Sequence, residues 1–217
     1  MEDNQHEKNL ELERLVFFSD AVVAIAITLL ALDLKVGHRG PRFAFIDLAD
    51  AWHSFAAFFL SFLIIAVFWI NHHRFFVHIK SIDPKLMTWN ICWLLFIVLL
   101  PFSSTLISSD FFDKPAMLVY SINVLLVTYF QNAIWDHAAG NRKLMKEPVS
   151  ITTIREYRVG CNLAMGNAVF AIVVSFFSPL FAFITLFGRT FMFRQSAQQW
   201  VARITQRRMV KRKKSNL

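Results

Sequence analysis

Charge and cysteine are both scarce in this chain. Only 18% of its 217 residues are charged, whereas 56% are hydrophobic and 24 are Phe. The two cysteines, Cys92 and Cys161, lie in apolar segments, where a thiol packs as a small apolar side chain, so no disulfide is expected. This composition is typical of an integral membrane protein and leaves little material for a soluble domain.

Recognisable catalytic motifs are also absent. The sequence has no Gly-x-Ser-x-Gly, no His-Glu-x-x-His and no paired catalytic aspartates. His72 and His73 are adjacent, so on a helix they point about 100° apart, whereas two metal-binding histidines on one helix face are four residues apart. The sequence therefore predicts a protein that is not an enzyme and that needs no cofactor or structural metal.

Long apolar runs dominate what is present. A helix that crosses a bilayer needs roughly 20 mainly apolar residues, and six runs qualify. They are Leu15–Val36, Trp52–Phe76, Leu86–Ser108, Pro115–His137, Arg158–Phe177 and Leu180–Trp200. We therefore predict an all-α polytopic fold of six transmembrane helices over residues 14–200. A polar N-terminal tail over 1–13 and a basic C-terminal tail over 201–217 flank it.

The positive charges predict the orientation of these helices. Nineteen of the 23 Lys and Arg residues fall on the side that holds both termini, and cytoplasmic segments carry such an excess. Both termini are therefore expected in the cytoplasm of a multi-pass cell-membrane protein. The basic tail favours contact with anionic membrane lipids, and nucleic acid is not expected as a partner.

Polar residues inside the predicted spans require an explanation, because they are costly in hydrocarbon. Asp20 lies in the first span, His72 and His73 near the end of the second, and Asn90 at the start of the third. By the predicted orientation all four lie at a similar depth on the cytoplasmic side. They fit a hydrogen-bond network that fixes the helix ends, or a proton relay through Asp20 and His72 in a proton-coupled transporter.

The first span has two unlike faces. At about 100° per residue, Leu29 and Leu32 lie within about 40° of Ile25, and Thr28 lies about 60° away. Asp20 lies about 140° from Ile25, on the other side of the helix. An apolar stripe on a membrane helix also fits packing or lipid contact, so the spacing alone does not identify a pore.

A short motif at the start of this span is more specific. Arg14-Leu-Val-Phe-Phe-Ser-Asp20 resembles the Arg-x-x-x-Phe-Ser-Asp signature of the transmembrane protein 175 family, which includes the lysosomal potassium channel of animals and prokaryotic relatives. Similarity continues through Leu32, and Trp69-Ile-Asn-His-His73 on the second span also resembles the family. The chain is identified on these motifs as a prokaryotic member.

The resemblance implies a function and a pore. First helices of this family surround the pore, and a chain with a single six-helix repeat is expected to form a homotetramer. The family lacks a Thr-Val-Gly-Tyr-Gly filter, and its apolar constriction corresponds to Ile25, followed by Leu29 and Leu32, with Thr28 as the pore-lining polar residue. Potassium ions are the expected permeant partner.

The resemblance also implies roles for the signature residues. They are expected to hold neighbouring helices in register through a network of Arg14, Phe18, Ser19, Asp20, Trp69, His72 and Asn90. Where some relatives have a small polar residue before the isoleucine, this chain has Ala24, so weak potassium selectivity is expected. The alternative function is the proton-coupled secondary transporter that uses Asp20 and His72.

Overall fold

A computed structural model describes residues 2–34, 36–37, 45–110, 112–146 and 149–188, with side chains from Leu10 onward. In these ranges the fold is helical, and short turns and loops connect the helices. The helices are α1 (Glu2–Leu32), α2 (Phe45–Asp50), α3 (Trp52–Val77), α4 (Pro84–Ser109), α5 (Lys114–Gly140), α6 (Ile151–Ser175) and α7 (Pro179–Gly188), with one 3-10 turn, Arg142–Leu144. The predicted all-α fold is confirmed.

Five of these helices, α1, α3, α4, α5 and α6, are long and apolar enough to cross a membrane. They correspond to the first five predicted spans. Helix α7 coincides with the first part of the predicted sixth span. The remainder of that span, from residue 189, and the basic tail lie outside the described residues.

The predicted limits of the first span are wrong at its C-terminal end. Helix α1 begins at Glu2, within the polar tail, and ends at Leu32 rather than at Val36. Asp33 directly follows Leu32, and Lys35 comes two residues later. Charged side chains are costly in hydrocarbon. The chain therefore turns at Asp33, where the Leu34 amide donates to the Ala31 carbonyl at 3.4 Å.

The fifth predicted span corresponds to α6, which begins earlier than predicted, at Ile151 rather than at Arg158. The Ser150 hydroxyl accepts a hydrogen bond from the Thr153 amide at 3.0 Å and so caps the helix. Charged residues in the first two turns of α6 hid this start from a prediction based on hydrophobicity. The connection between α5 and α6 is correspondingly short.

The helices pack as a bundle in which α4 and α5 are central. Helix α4 packs against α1, α3 and α5, while α6 packs against α5. Trp93, Tyr120, Trp135 and Phe68 are fully buried between these helices. Among the described helices, α1 packs against α3 and α4, so it lies at one edge of the bundle.

Polarity in this bundle is inverted relative to a soluble protein. Ser61, Asn90, Ser103 and Gln131 are buried, whereas many large apolar side chains on the long helices are exposed. The buried groups are hydrogen-bonded, as with the Gln131 amide, which donates to the Phe68 carbonyl at 2.8 Å. Lipid accepts an apolar exterior but offers no hydrogen bonds, so this arrangement suits a membrane.

Candidate functional site

Helix α1 turns one apolar face away from its own subunit. Ile25 is 60% exposed, Leu29 39% and Leu32 75%. The opposite face is packed, with Val23 and Leu30 buried against the bundle. The stripe predicted from helical spacing is therefore the part of α1 that the subunit itself leaves uncovered.

Thr28 lies on the same uncovered face. Its hydroxyl donates a hydrogen bond to the Ile25 carbonyl, one turn earlier, at 2.8 Å. Because the hydroxyl hydrogen is used within the helix, the oxygen lone pairs remain available on the exposed surface. The side chain therefore presents a hydrogen-bond acceptor among apolar neighbours.

A buried series of hydrogen bonds attaches α1 to its neighbours α3 and α4. The Asn90 amide of α4 donates to the Ser19 hydroxyl oxygen at 2.8 Å, and Ser19 in turn donates to the Leu15 carbonyl at 2.8 Å. The Asn90 carbonyl oxygen is 2.7 Å from His72 Nε2 on α3. Since that oxygen can only accept, Nε2 carries the proton.

Asp20 is next to Ser19 in sequence but has a different hydrogen-bond partner. The Trp69 indole N–H of α3 donates to Asp20 Oδ1 at 2.8 Å. This bond satisfies part of the carboxylate, which would otherwise be a costly group at this depth. Asp20 and His72 thus bind different partners, and the structure gives them no hydrogen bond to each other.

Two residues of the predicted network are not part of these contacts. Arg14 and Phe18 lie on the exposed face of α1, on the same side as Ile25. Within the described residues Arg14 forms no hydrogen bond or ion pair. The structure thus joins Ser19, Asn90 and His72 by consecutive hydrogen bonds. Asp20 and Trp69 form a separate hydrogen bond.

The N-terminal end of α4 and the C-terminal end of α5 are joined by a contact between Asp83 and His137 that the sequence analysis missed. His137 Nε2 lies 2.8 Å from Asp83 Oδ2, and Asp83 also caps α4 by accepting from the Leu86 amide at 2.7 Å. Burial opposes ionisation of Asp83, but the Leu86 bond and His137 outweigh it and lower the pKa of this carboxyl. The sequence did carry a signal for this cap, because Asp83 directly precedes Pro84 and an aspartate before a proline is typical of a helix start.

The loops next to this contact are joined by backbone hydrogen bonds. Ile79 and Met145 form an antiparallel bridge, with the Lys80 amide donating to the Leu144 carbonyl at 2.8 Å. Burial, with a smaller effect of the Lys146 charge, lowers the pKa of nearby His78. The bridge joins the loop between α3 and α4 to the segment that follows α5.

No cluster of metal ligands accompanies these groups. Among the described residues, no three His, Cys, Asp or Glu side chains lie close enough together to hold an ion. The features on α1 are instead a continuous apolar face with one threonine oxygen and a polar attachment on its reverse side. Together with the apolar exterior, they define a polytopic α-helical membrane protein whose first helix has a face free of its own subunit.

Comparison with known proteins identifies the family. The family model described as "Endosomal/lysosomal potassium channel TMEM175" matches residues 14–101. A potassium channel of Streptomyces collinus is 32% identical over 166 residues, which cover 74% of this chain and 80% of that protein. A potassium channel of Chamaesiphon minutus is 32% identical over 167 residues, covering 70% and 80% respectively.

A solved structure has the same fold. The crystal structure of a lysosomal potassium-selective channel TMEM175 homolog from Chamaesiphon minutus aligns with a TM-score of 0.75 at 28% identity. The alignment covers 86% of this chain and 98% of that one. The chain belongs to the TMEM175 family, and the predicted family is confirmed.

Proposed function

We propose that this chain is a subunit of a potassium-permeable cation channel that conducts passively. The observation that carries the proposal is the uncovered face of α1, where Ile25, Leu29 and Leu32 are exposed in a single subunit. Similar proteins from Streptomyces collinus and Chamaesiphon minutus are named potassium channels. Four copies of the chain would place four such faces around a common axis.

The apolar side chains would act as a constriction and a gate. An ion that passes the Ile25 ring must lose part of its hydration shell, and apolar side chains offer nothing in return. Such a ring also empties of water when its radius falls slightly, so a small movement of α1 is enough to stop the current. Leu29 and Leu32 would continue the apolar lining toward the outer end.

Thr28 would ease the passage between these rings. Its hydroxyl oxygen faces the exposed side of α1 and has lone pairs free, so it can contact a partly dehydrated potassium ion. Position 24 is Ala, which adds no oxygen beside Ile25. We therefore propose weak selectivity for potassium over sodium.

The polar contacts on the reverse side of α1 would set its position. Asn90 joins Ser19 and His72, and Trp69 holds Asp20, each through a bond of 2.8 Å or less. We propose that these bonds hold α1 at the angle at which four copies assemble. Exposed Arg14 and Phe18 would then contact neighbouring subunits in the homotetramer.

The proposed location is the cell membrane, with both termini in the cytoplasm. Five basic residues lie at or next to helix ends on the side of the Ile79–Met145 bridge: Lys80, Lys85, Arg142, Lys143 and Lys146. A positive surface of this kind faces the cytoplasm. Anionic lipids would bind there and at the basic tail.

The alternative is a proton-coupled secondary transporter that relays protons through Asp20 and His72. Their separate hydrogen-bond partners support fixed positions rather than a direct relay. Discontinuous helices are the usual basis of such transport, whereas α1 and α3 run without a break through these residues.

Ion flux into liposomes distinguishes the two functions. Purified protein is reconstituted in vesicles that contain potassium, and flux is followed with potassium or sodium gradients at equal pH and then with a pH gradient. A channel gives a reversal potential that follows the potassium gradient whatever the pH difference. Absence of flux, or flux only when a proton gradient is present, would contradict the channel.

A further inference from the structure

The outer end of α1 is attached to the bundle by one side-chain hydrogen bond. Asp33 follows Leu32 directly, and its Oδ2 accepts from the Thr105 hydroxyl of α4 at 2.8 Å. We propose that the Asp33–Thr105 hydrogen bond is a positioning contact that holds the outer end of α1 and so sets the pore width at Leu32. This inference rests on the proposed function, in which Leu32 lines the pore.

The rest of α1 shows why this bond matters. Among the described residues, the other side-chain hydrogen bonds between α1 and its neighbours involve Ser19 and Asp20. These two residues lie about 20 Å from Asp33 along the helix at 1.5 Å per residue. Between them the packed positions are apolar, among them Val23 and Leu30. Apolar packing resists separation but allows sliding and rotation better than a directed hydrogen bond does.

Thr105 is also a donor with a choice of acceptor. Its hydroxyl has a single hydrogen, and two acceptors lie within reach: Asp33 Oδ2 at 2.8 Å and the Pro101 carbonyl of its own helix at 3.1 Å. A hydrogen bond to a carboxylate is stronger than one to a neutral carbonyl. The carboxylate therefore takes the hydrogen, and when Asp33 moves away the hydroxyl can return to Pro101.

The position of Thr105 on α4 adds to the argument. Proline lacks an amide hydrogen, so Pro101 interrupts the backbone hydrogen bonds of α4 one turn before Thr105. Beyond Pro101, α4 is nevertheless bonded to α3 through Ser104 and to α5 through Ser103, so Thr105 belongs to an anchored part of the bundle. The hydrogen bond joins that part to the residue after Leu32.

The chain offers closely matched variants for a test. Thr105→Val keeps the side-chain shape but cannot donate, whereas Thr105→Ser keeps the hydroxyl. Thr88 on the same helix also donates to a proline carbonyl four residues earlier, Pro84, at 2.8 Å. Thr88→Val therefore removes the same kind of intrahelical bond without any contact to α1, and it is the control for the loss of that bond alone.

Asp33 variants separate position from charge. Asp33→Asn removes the negative charge but keeps a carbonyl oxygen that can accept from Thr105. Asp33→Ala removes the acceptor and leaves α4 unchanged, so it replaces Thr105→Val if that variant does not assemble. If the bond acts by position, Asp33→Asn stays close to wild type and Asp33→Ala resembles Thr105→Val.

Two measurements are made in reconstituted protein. The first is the rate at which a methanethiosulfonate reagent modifies Leu32→Cys in a background with Cys92 and Cys161 replaced by Ala. The second is potassium flux of each variant with native Leu32. The modification rate reports the surroundings of residue 32 whether or not the protein conducts.

We expect Thr105→Val and Asp33→Ala to change the modification rate about tenfold, the effect on a two-state equilibrium of losing one charge-assisted hydrogen bond. Potassium flux should change in the same two variants, while Thr105→Ser, Asp33→Asn and Thr88→Val remain within about twofold of wild type. An unchanged rate in Thr105→Val and Asp33→Ala would overturn the positioning role.

The other outcomes also decide the matter. Equal effects of Asp33→Asn and Asp33→Ala would overturn it in favour of the negative charge itself. Equal effects of Thr88→Val and Thr105→Val would show that only the intrahelical bond matters. If wild-type protein fails to conduct, the proposed function fails, and the modification rates still show whether Asp33–Thr105 positions the end of α1.

Discussion

The two faces of α1 differ in what they contact and in how polarity is distributed on them. The face with Ile25, Leu29 and Leu32 is apolar and uncovered, whereas the packed face includes Ser19, which is fully buried and bonded to Asn90. In water the opposite pattern would be expected. The comparison shows that here polar groups attach α1 to its subunit, and apolar groups are left for a partner outside it.

The largest expected effect follows from removing the apolar character of the uncovered face. Ile25→Asn places an amide where an ion would lose hydration, so potassium flux in liposomes should rise about tenfold or more, equivalent to lowering a barrier by about 1.4 kcal/mol. Discrimination between potassium and sodium should weaken. Ile122→Asn, at an exposed position on α5, is the control and should not raise flux. Unchanged flux in Ile25→Asn would mean that Ile25 is not the constriction.

A second prediction concerns the buried series of hydrogen bonds on the packed face. Asn90→Leu removes the bonds to Ser19 and His72 and leaves both partners buried without them. The unfolding free energy should fall by about 2–4 kcal/mol. Thermal unfolding in detergent measures this effect. Asn162→Leu is the control, since Asn162 is exposed and contacts Asn132 at 3.3 Å. Equal destabilisation by both would argue against a special role for the buried series of hydrogen bonds.

A third prediction separates assembly from ion selection. Asp20→Ala removes the acceptor of the Trp69 indole and should cost about 1–2 kcal/mol. The amount of tetramer in size-exclusion chromatography should fall, because α1 loses its fixed angle. The potassium-to-sodium flux ratio of the remaining tetramer should match wild type. Asp110→Ala, in an exposed turn, should affect neither. A stable tetramer with altered ion preference would place Asp20 in the conduction path instead.

The smallest expected effect lies outside both faces, at the end of the bundle. The pKa of Asp83 is lowered in the folded protein, so its stabilisation is present above the unfolded value of about 3.9 and is lost as pH falls through the lower folded pKa. Asp83→Asn keeps a helix-capping side chain but loses the pair with His137, at a cost of about 0.5 kcal/mol at neutral pH, since the pair is partly exposed.

Thermal unfolding between pH 3 and 7 tests this pair. The difference between wild type and Asp83→Asn should be largest near neutral pH and should shrink as the pH falls below the unfolded value of about 3.9. A difference that persists unchanged to about pH 3, below the unfolded value, would show that the charge of Asp83 does not contribute.

The sequence analysis was most accurate where a residue's role follows from helical spacing. The two faces of α1 follow from about 100° per residue, and in the structure Ile25, Leu29 and Leu32 share one exposed face. Helix ends were harder, since α6 begins seven residues before the predicted Arg158. Hydrophobicity marks the part of a helix that lipid surrounds, and polar turns that continue it beyond the membrane carry no such signal.

The sequence analysis also did not predict which side chains meet between helices. Asp20, His72, His73 and Asn90 were expected at similar depth, with Trp69 in the same network. Depth alone did not reveal that Trp69 pairs with Asp20 while Asn90 joins His72 to Ser19. The Asp33–Thr105 contact was missed for the same reason. An aspartate just after an apolar span and a threonine in a Ser-Ser-Thr run at the end of another were the only hints.

The sequence by itself determined that this protein is a helical membrane protein and that one stripe of α1 is apolar. Composition and periodicity, which indicate these features, are properties of the sequence. Its Arg14–Asp20 motif also predicted the family. Only the tertiary structure decided which face of α1 the subunit covers and which polar atoms hold it there. Those outcomes depend on the angle and depth at which α1 meets α3 and α4, and hydrogen bonds act only over about 3 Å. The apolar stripe depends on the sequence of α1 alone, whereas the attachment of α1 to its subunit depends on how α1, α3 and α4 pack together.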